Sequence, residues 1–265
     1  MKVSVITPSF NSSKTIGRNI ESVNQQTHPD LEHIFVDNLS SDDTLKIVRE
    51  SAHRVTKIIS EPDRGISDAF NKGIRNSTGE IIAILNSDDS FFDSTALCRV
   101  HQAFVANPEV QFVYGNMLFV DPVFGTNMRK PLECPVTKAM PFNHPAFFVR
   151  SSFYEKVGLF DENFKVAMDF ELISRMYKAP NKPELEGIYL KGQPLAVMYA
   201  GGISWNHEEK SLSEVERALK KNGLWNGDAN RQLFIRRYRV KMKGLLNTFG
   251  LQCLVRAWRT VKWKA

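Results

Sequence analysis

Short apolar runs alternate with amphipathic stretches over the first ninety residues of the chain. The apolar runs are rich in β-branched residues, as buried strands are, and lie at residues 2–7, 32–37, 56–60 and 81–85. The stretches between them begin near capping side chains and have helical spacing, at residues 12–25, 45–52 and 66–76. This alternation predicts βαβ units and an α/β fold with a mostly parallel central sheet flanked by helices.

Beyond residue 90 the pattern is less regular, but it still predicts alternating elements. We expect helices at 94–106 and 151–157 and from 166 to about 177, and strands at 110–116, 147–149 and 194–199. Residues 117–121 are expected to pair with later ones. Residues 123–140 contain Gly125, Pro131 and Pro135, and they predict a loop that orders over a ligand.

Polar side chains follow three of the predicted strands directly. Thr7-Pro8-Ser9 ends the first, Asp37 the second, and Asn86-Ser87-Asp88-Asp89 the fourth. Ligands of parallel α/β sheets bind beyond the carboxyl ends of the strands, so we expect a binding site at this edge. Two adjacent carboxylates after a buried strand repel each other, and Mg²⁺ or Mn²⁺ would relieve that repulsion. The alternative is a solvated turn with Asp as the turn former.

The sequence contains neither of the common nucleotide-binding loops. Neither the G-x-x-x-x-G-K-[ST] phosphate loop nor the dinucleotide motif G-x-G-x-x-G occurs. This argues against a P-loop kinase and a dinucleotide dehydrogenase. An acidic strand edge with a metal instead suits a nucleotide diphosphate attached to another group.

Composition is that of an ordinary soluble protein, with 42% hydrophobic and 24% charged residues. No apolar run is long enough to span a bilayer, and the start of the chain does not read as a secretory signal. The three widely spaced cysteines, Cys98, Cys134 and Cys253, fit a reducing cytosol.

The positive charge is concentrated at the end of the chain. Residues 211–265 hold thirteen Lys or Arg and three Asp or Glu, a net charge of +10, so a total of +6 leaves the first 210 residues at −4. We therefore expect a body at 1–210 and a basic, amphipathic helical appendage at 211–265. Its part from 231 to 265 mixes aromatic and basic residues and predicts binding to an anionic membrane. The alternatives are a helix packed on the body and nucleic-acid binding, but no nucleic-acid-reading motif is present.

Several short motifs along the chain form an ordered set over residues 3–207. They are 7–11, 36–37, 40–44, 61–66, 71–73, 79–80, 85–89, 157–162 and 201–204, together with Asp68, Asp169, Glu171 and Leu172. In this order they resemble the family 2 glycosyltransferases of the GT-A fold. The resemblance implies a Rossmann-like, mostly parallel sheet and a nucleotide-sugar donor.

The resemblance also implies roles for individual residues. The family's D-x-D motif falls on Asn86-Ser87-Asp88, so Asp88 and Asp89 would hold Mn²⁺ or Mg²⁺, while the uncharged Asn86 would bind ribose. Asp169 matches the family's general base, although Met168 replaces the Glu that usually precedes it. The expected donor-binding residues are Thr7, Pro8, Ser9, Asp37, Asp68, Lys72, Asn86 and Ser87.

Functional roles for three further residues are hypotheses, and each of these residues also has an ordinary structural explanation. His207 would contact the metal or the diphosphate, His144 would face the acceptor, and Trp205 would stack on a sugar. A loop histidine or a buried aromatic side chain would also explain them.

Together these features predict a metal-dependent, inverting hexosyltransferase that is peripheral on the cytoplasmic face of the membrane. Its donor would be a UDP-hexose or UDP-N-acetylhexosamine. Its acceptor would be a polyprenyl-diphosphate-linked saccharide of bacterial surface polysaccharide synthesis, such as O-antigen assembly. The rival functions are a catalytically inactive sugar-nucleotide-binding protein at the membrane and a sugar-1-phosphate nucleotidylyltransferase, whose glycine-rich signature is missing after the first strand.

Overall fold

A central sheet of seven strands organises the protein, as seen in a computed structural model that describes residues 1–123, 125–179, 182–202 and 207–248. In spatial order the strands are β12 (Gly187–Leu190), β6 (Phe112–Gly115), β9 (Phe147–Arg150), β4 (Ile81–Ile84), β1 (Val3–Ser9), β2 (Leu31–Asp37) and β3 (Val55–Ser60). β3, β2, β1 and β4 are parallel, β9 is antiparallel to both of its neighbours, and β12 is parallel to β6. The predicted α/β architecture is confirmed.

Apolar side chains explain why these strands lie at the centre. Val5, Ile6 and Ile84 are buried, as expected for strands covered on both faces. β1 runs on to Ser9, two residues beyond the strand predicted at 2–7. β1 pairs with β4 only as far as Ile6. Pro8, which has no backbone N–H, lies beyond this pairing and is therefore tolerated in the strand.

Eight α-helices pack around the sheets of the described residues. They are α1 (Ile16–Asn24), α2 (Thr44–Ser51), α3 (Ile66–Arg75), α4 (Ala96–Ala106), α5 (Ser151–Val157), α6 (Met168–Ser174), α7 (Glu208–Lys221) and α8 (Gly227–Thr248). α1 starts later than predicted, because the Ser12 carbonyl accepts the N–H groups of Thr15 and Ile16 in a preceding turn. α6 ends earlier than predicted, since Tyr177 enters the ribbon of β10 (Tyr177–Ala179) and β11 (Lys182–Pro183).

A second sheet of four strands lies beside the first. Its order is β5 (Ser90–Phe91), β13 (Ala196–Tyr199), β7 (Met117–Asp121) and β8 (Gly125–Arg129). The prediction that residues 117–121 pair with later residues is confirmed, because β7 pairs with β8 and β13. The loop predicted for 123–140 is wrong at its start, where β8 forms an edge strand. The mostly exposed side chains of β8 lack the apolar alternation that marks a strand in sequence.

The C-terminal helices complete the larger hydrophobic core. Leu212, Val215 and Leu219 of α7 and Leu233 of α8 are buried in the same cluster as Phe160, Phe170 and other residues around α6. The predicted boundary at 210/211 falls inside α7. Residues 249–265, about half of the predicted aromatic and basic stretch 231–265, lie outside the described residues.

Candidate active site

A large cavity of about 1750 Å³ lies at the carboxyl ends of β1 and β4. Its lining includes Pro8 and Ser9 from β1 and the turn 86–89 that follows β4. Typical small-molecule pockets measure roughly 300–1000 Å³, so this cavity has room for two substrates.

The antiparallel direction of β9 explains how His144 reaches the same edge. β9 pairs with β4 from Ala83↔Phe148 to Ile81↔Arg150, so its amino end lies beside the carboxyl end of β4. The short 3₁₀ turn His144–Ala146 comes just before that amino end. His144 therefore lines the cavity, and its ring stacks against Phe70 with centroids 5.7 Å apart.

Asp169 lies at the start of α6 and also lines the cavity. One of its carboxylate oxygens accepts the N–H of Phe170 at 2.7 Å. Burial lowers the pKa of His144, while the nearby charge of Asp169 raises it, and the net result is a pKa below the usual range. A neutral imidazole thus lies close to a carboxylate that faces open space.

Asp88 and Asp89 form a pair of adjacent carboxylates in the lining. Burial raises the pKa of Asp88, and burial together with the charge of Asp88 raises the pKa of Asp89 to about 8. The charge of Arg18 opposes both increases in pKa, but its guanidinium donates to the Asp88 backbone carbonyl at 2.9 Å and lies over the Tyr199 ring. Among the residues that the structure describes, neither carboxylate has a salt bridge.

This pair of carboxylates fits a hard divalent cation. Mg²⁺ is often held by one or two carboxylates, with water and substrate phosphates as its other ligands. The described ranges contain no cluster of three or more His, Cys, Asp or Glu residues suited to a metal. His207 is exposed just before α7 and does not line the cavity. Asp88 and Asp89 are thus two neighbouring carboxylates of the lining that could hold a cation.

Asn86 and Ser87 line the cavity within a braced turn. The Ser87 hydroxyl lies 2.9 Å from that of Ser12, and Asn19 donates to the Asn86 carbonyl at 2.9 Å. These bonds tie the turn after β4 to α1 and to the loop before it. The turn is therefore fixed at the carboxyl ends of two neighbouring strands.

Asp37 is buried behind the cavity wall and does not line the cavity. Its carboxylate accepts the hydroxyl of Ser9 at 2.9 Å, the N–H and hydroxyl of Ser40 at 2.9 and 2.6 Å, and the hydroxyl of Ser60 at 3.2 Å. Because both oxygens are engaged, Asp37 acts on the cavity through Ser9.

Thr7, Asp68 and Lys72 also lie outside the cavity lining. The buried Thr7 hydroxyl is 2.9 Å from Nε2 of His33. Lys72 donates to the Pro62 carbonyl at 2.7 Å and pairs with Glu61 at 2.9 Å.

Asp68 acts on the same loop as Lys72. Burial alone would raise its pKa, but the N–H of Arg64 and the charges of Lys72 and Arg64 lower it below the usual range. The four predicted donor residues outside the lining, Thr7, Asp37, Asp68 and Lys72, thus shape the loop and sheet around the cavity. Trp205 lies outside the described residues.

Glu214 of α7 holds the segment that leads to Asp169, a role that the sequence patterns did not predict. Its buried carboxylate accepts the N–H groups of Lys165, Val166 and Ala167 at 2.8 to 3.1 Å. In the sequence, Glu214 lies directly between buried positions of an amphipathic helix, and that placement was the available signal.

α8 forms a further wall of the cavity. The lining residues on this helix are Gln232, Ile235, Arg236 and Arg239. Arg236 and Arg239 belong to the stretch that the sequence predicts for the membrane surface. Only the structure reveals that they face the cavity, because the charge pattern alone does not tell a solvent-facing arginine from a cavity-facing one.

Comparison with known proteins agrees with this architecture. The family described as Glycosyl transferase family 2 matches residues 4–172. An uncharacterized glycosyltransferase of Mycobacterium tuberculosis is 31% identical over 179 residues, which cover 65% of this chain and 68% of the relative. A PGL/p-HBAD biosynthesis glycosyltransferase of Mycobacterium bovis is 28% identical over 181 residues, which cover 67% and 70%.

Solved structures share the fold at low sequence identity. S. aureus TarS 1-349 in complex with UDP-GlcNAc has a TM-score of 0.63 and 18% identity, with 88% of this chain and 70% of that chain covered. The mannosyltransferase PcManGT from Pyrobaculum calidifontis, in complex with GDP-Man and Mn²⁺, has a TM-score of 0.62 and 18% identity, with 98% and 83% covered. The predicted GT-A fold is confirmed.

Proposed function

Since the chain belongs to glycosyl transferase family 2, we propose that it transfers a sugar from a nucleotide diphosphate to a hydroxyl of a lipid-linked saccharide, with inversion at the anomeric carbon. The observation that carries the proposal is one cavity lined by Asp88, Asp89 and Asp169, which are far apart in sequence. Its volume of about 1750 Å³ suits a donor and an acceptor bound together.

Asp169 serves as the general base in this proposal. Its carboxylate takes the proton from the acceptor hydroxyl while the hydroxyl oxygen attacks the anomeric carbon. The bond from that carbon to the diphosphate oxygen breaks, which releases the nucleoside diphosphate. A positioned carboxylate contributes typically 10²–10⁴-fold to such a step, and a single displacement inverts the configuration.

Asp88 and Asp89 hold Mn²⁺ or Mg²⁺ in the proposed enzyme. Their adjacent carboxylates are costly to ionise in this buried turn, as the raised pKa of Asp89 of about 8 indicates. When bound, the cation offsets this repulsion and neutralises the charge of the leaving diphosphate.

The proposed donor is a UDP-hexose or UDP-N-acetylhexosamine. Pro8, Ser9, Asn86 and Ser87 line the cavity next to the acidic pair and would contact the nucleotide. UDP-GlcNAc is bound by S. aureus TarS, whereas PcManGT binds GDP-Man, so the base is the first property to test.

The proposed acceptor is a polyprenyl-diphosphate-linked saccharide at the cytoplasmic face of the membrane, as in bacterial surface polysaccharide synthesis. α8 supports this idea because Phe234, Tyr238 and Leu245 are exposed by 69%, 58% and 50% at near-helical spacing, with Lys241 between them. Such a face favours the interface of an anionic membrane. None of the helices in the described ranges is long and apolar enough to cross a bilayer.

Replacement of Asp169 by Asn tests the proposed base. Asp169→Asn should abolish most turnover of a UDP-sugar while UDP binding in the presence of Mn²⁺ stays within about twofold, because the amide keeps the shape but cannot accept the proton. Asp43→Asn, an exposed change before α2, is the matched control and should retain activity. Full turnover by Asp169→Asn would refute the base assignment.

Calorimetry with UDP tests the metal site. Mn²⁺ should strengthen UDP binding to the wild type, and Asp88→Asn should remove that gain because one carboxylate ligand is lost. Equal UDP affinity with and without Mn²⁺ in the wild type would contradict the proposed metal role.

Vesicle flotation tests the membrane contact. The wild type should float with vesicles rich in phosphatidylglycerol more than with phosphatidylcholine vesicles, and the variant F234S/Y238S/L245S should float less. If this variant and the wild type bind both vesicles equally, the exposed face of α8 is not the contact.

A further inference from the structure

One face of α8 is turned toward the cavity at regular spacing. Gln232, Ile235, Arg236 and Arg239 line the cavity and follow the i, i+3, i+4, i+7 pattern of a single helical stripe. Two arginines, one turn apart, therefore line the same cavity from one helix; Arg236 is half-buried and Arg239 is exposed at the cavity surface.

The orientation of this helix is fixed on its other sides. Ala229 and Leu233 are buried in the core, and the N–H of Ala229 is held by the Asn226 side chain at 2.9 Å. Arg237 pairs with Glu216 at 2.6 Å and Lys243 with Glu208 at 2.8 Å, both on α7. α8 thus satisfies some of its basic side chains with carboxylates of its neighbour.

The two cavity-facing arginines differ from these. Within the part of the chain that the structure describes, neither Arg236 nor Arg239 has a salt bridge or a side-chain hydrogen bond. Arg236 is half-buried, and burial lowers its pKa below the usual range. A half-buried cation without a partner is costly for folding, so its presence favours an anionic ligand.

The cavity lining carries both acidic and basic side chains, and the basic ones suit such a ligand. Asp88, Asp89 and Asp169 lie on the turn after β4 and at the start of α6, whereas Lys130 and Lys138 join the two arginines in the lining. Arginine presents several N–H donors in a plane that matches two phosphate oxygens at once. Arg236 and Arg239 are therefore chemically suited to bind a phosphate group.

We propose that Arg236 and Arg239 form a phosphate-binding subsite that holds a phosphate group of a substrate in the same cavity as the acidic residues. The proposal rests on the proposed function, because both substrates of that reaction carry phosphate. The phosphate comes from the diphosphate that links the acceptor to its lipid, or from the diphosphate of the donor.

Calorimetry with three probes tests this subsite. Inorganic pyrophosphate is titrated in EDTA, where no metal bridges it to the carboxylates. Farnesyl diphosphate stands for the acceptor's lipid diphosphate, and UDP with Mn²⁺ stands for the donor. The variants are Arg236→Gln, Arg239→Gln and the charge-retaining Arg236→Lys, and Arg231→Gln removes one exposed charge of α8 outside the lining.

Each glutamine variant should weaken pyrophosphate binding by about tenfold, the effect of losing one charge-assisted contact. Arg236→Lys should recover part of this loss, and Arg231→Gln should change the affinity less than about twofold. An equal loss in Arg231→Gln and Arg236→Gln would overturn the subsite, because general attraction would then explain the binding.

The other two probes identify the source of the phosphate. Weaker binding of farnesyl diphosphate with unchanged UDP binding assigns the subsite to the acceptor, and the reverse assigns it to the donor. Unchanged affinity for all three probes in variants that keep the wild-type unfolding temperature would overturn the proposal. Failure of the proposed function is distinct, since it would appear as absent UDP binding in the wild type.

Discussion

Removal of the Glu214 carboxylate should show how far this residue positions the proposed base Asp169 in a protein that still folds. This carboxylate accepts three consecutive backbone N–H groups, of Lys165, Val166 and Ala167, two residues before Asp169. A hydrogen bond to a charged group contributes about 1.5–3 kcal/mol, and buried donors left without a partner are costly. Because the three bonds share one acceptor, we expect Glu214→Ala to cost about 4 kcal/mol in total.

The loss should be visible in stability and in turnover, but not in donor binding. For a protein of this size about 4 kcal/mol corresponds to a melting temperature lower by about 10 °C. A shift of about 1 Å in a reacting group costs about 10²-fold in rate, so kcat should fall by about that factor at a temperature where the variant is folded. UDP affinity should stay within about twofold, because the segment that Glu214 holds leads to Asp169, whereas the proposed nucleotide contacts lie on β1 and on the turn after β4.

The assays are thermal unfolding by circular dichroism, calorimetry with UDP and Mn²⁺, and turnover of a UDP-sugar. Glu214→Gln keeps one oxygen acceptor and should lie between wild type and Glu214→Ala. Glu209→Ala removes an exposed acid from the same helix and is the matched control. A less stable Glu214→Ala protein with wild-type kcat would refute the reasoning, because Asp169 would then be placed without this contact.

Three further changes test how the surrounding residues shape the site. Although burial raises it, bonds from Lys2, Ser4 and Thr78 lower the pKa of Glu32 to about 2. At pH values above its ordinary pKa of 4.5, ionised Glu32 contributes about 3 kcal/mol to the free energy of unfolding, and this contribution is lost as the pH falls toward 2. The difference in stability between the wild type and Glu32→Gln, measured by urea unfolding, should therefore shrink by about half from pH 7 to pH 3. Asn71→Ala should lower stability in urea by about 3 kcal/mol, because it frees both the N–H and the carbonyl of Phe160, each bonded at 2.9 Å. Asp37→Asn should weaken UDP binding by calorimetry by about tenfold, because it loosens its contact with the cavity-lining Ser9. If the measured stability or UDP affinity does not change as expected in one of these variants, the role given to the corresponding contact is contradicted.

The sequence was sufficient for the parallel half of the fold. Strands such as Ile81–Ile84 are continuous apolar runs bounded by polar residues, so periodicity and capping locate them within a few residues. The β8 strand was missed because Gly125–Arg129 is a mostly exposed edge whose pairing with β7 depends on tertiary contacts. Local pattern carries little information about such strands.

The candidate site was predictable where it depends on strand ends. The turn 86–89 and Ser9 line the cavity because the carboxyl ends of parallel strands meet there. The direction of individual side chains was not predictable. Asp37 and Thr7 lie at the same strand ends but are engaged by Ser9, Ser40 and His33, and sequence alone does not show such partners.

Closure of the main core by α7 and α8 has a consequence for synthesis on the ribosome. Phe170 and its neighbours stay without their covering side chains until Leu212, Val215 and Leu233 have left the exit tunnel. The nascent chain therefore holds nearly all of its sheet strands before Glu214 can bind the backbone that leads into α6. It also holds them before α8 can close its side of the cavity. Transfer activity should accordingly arise only after α8 has emerged from the ribosome, and until then an apolar surface is exposed for chaperones to protect.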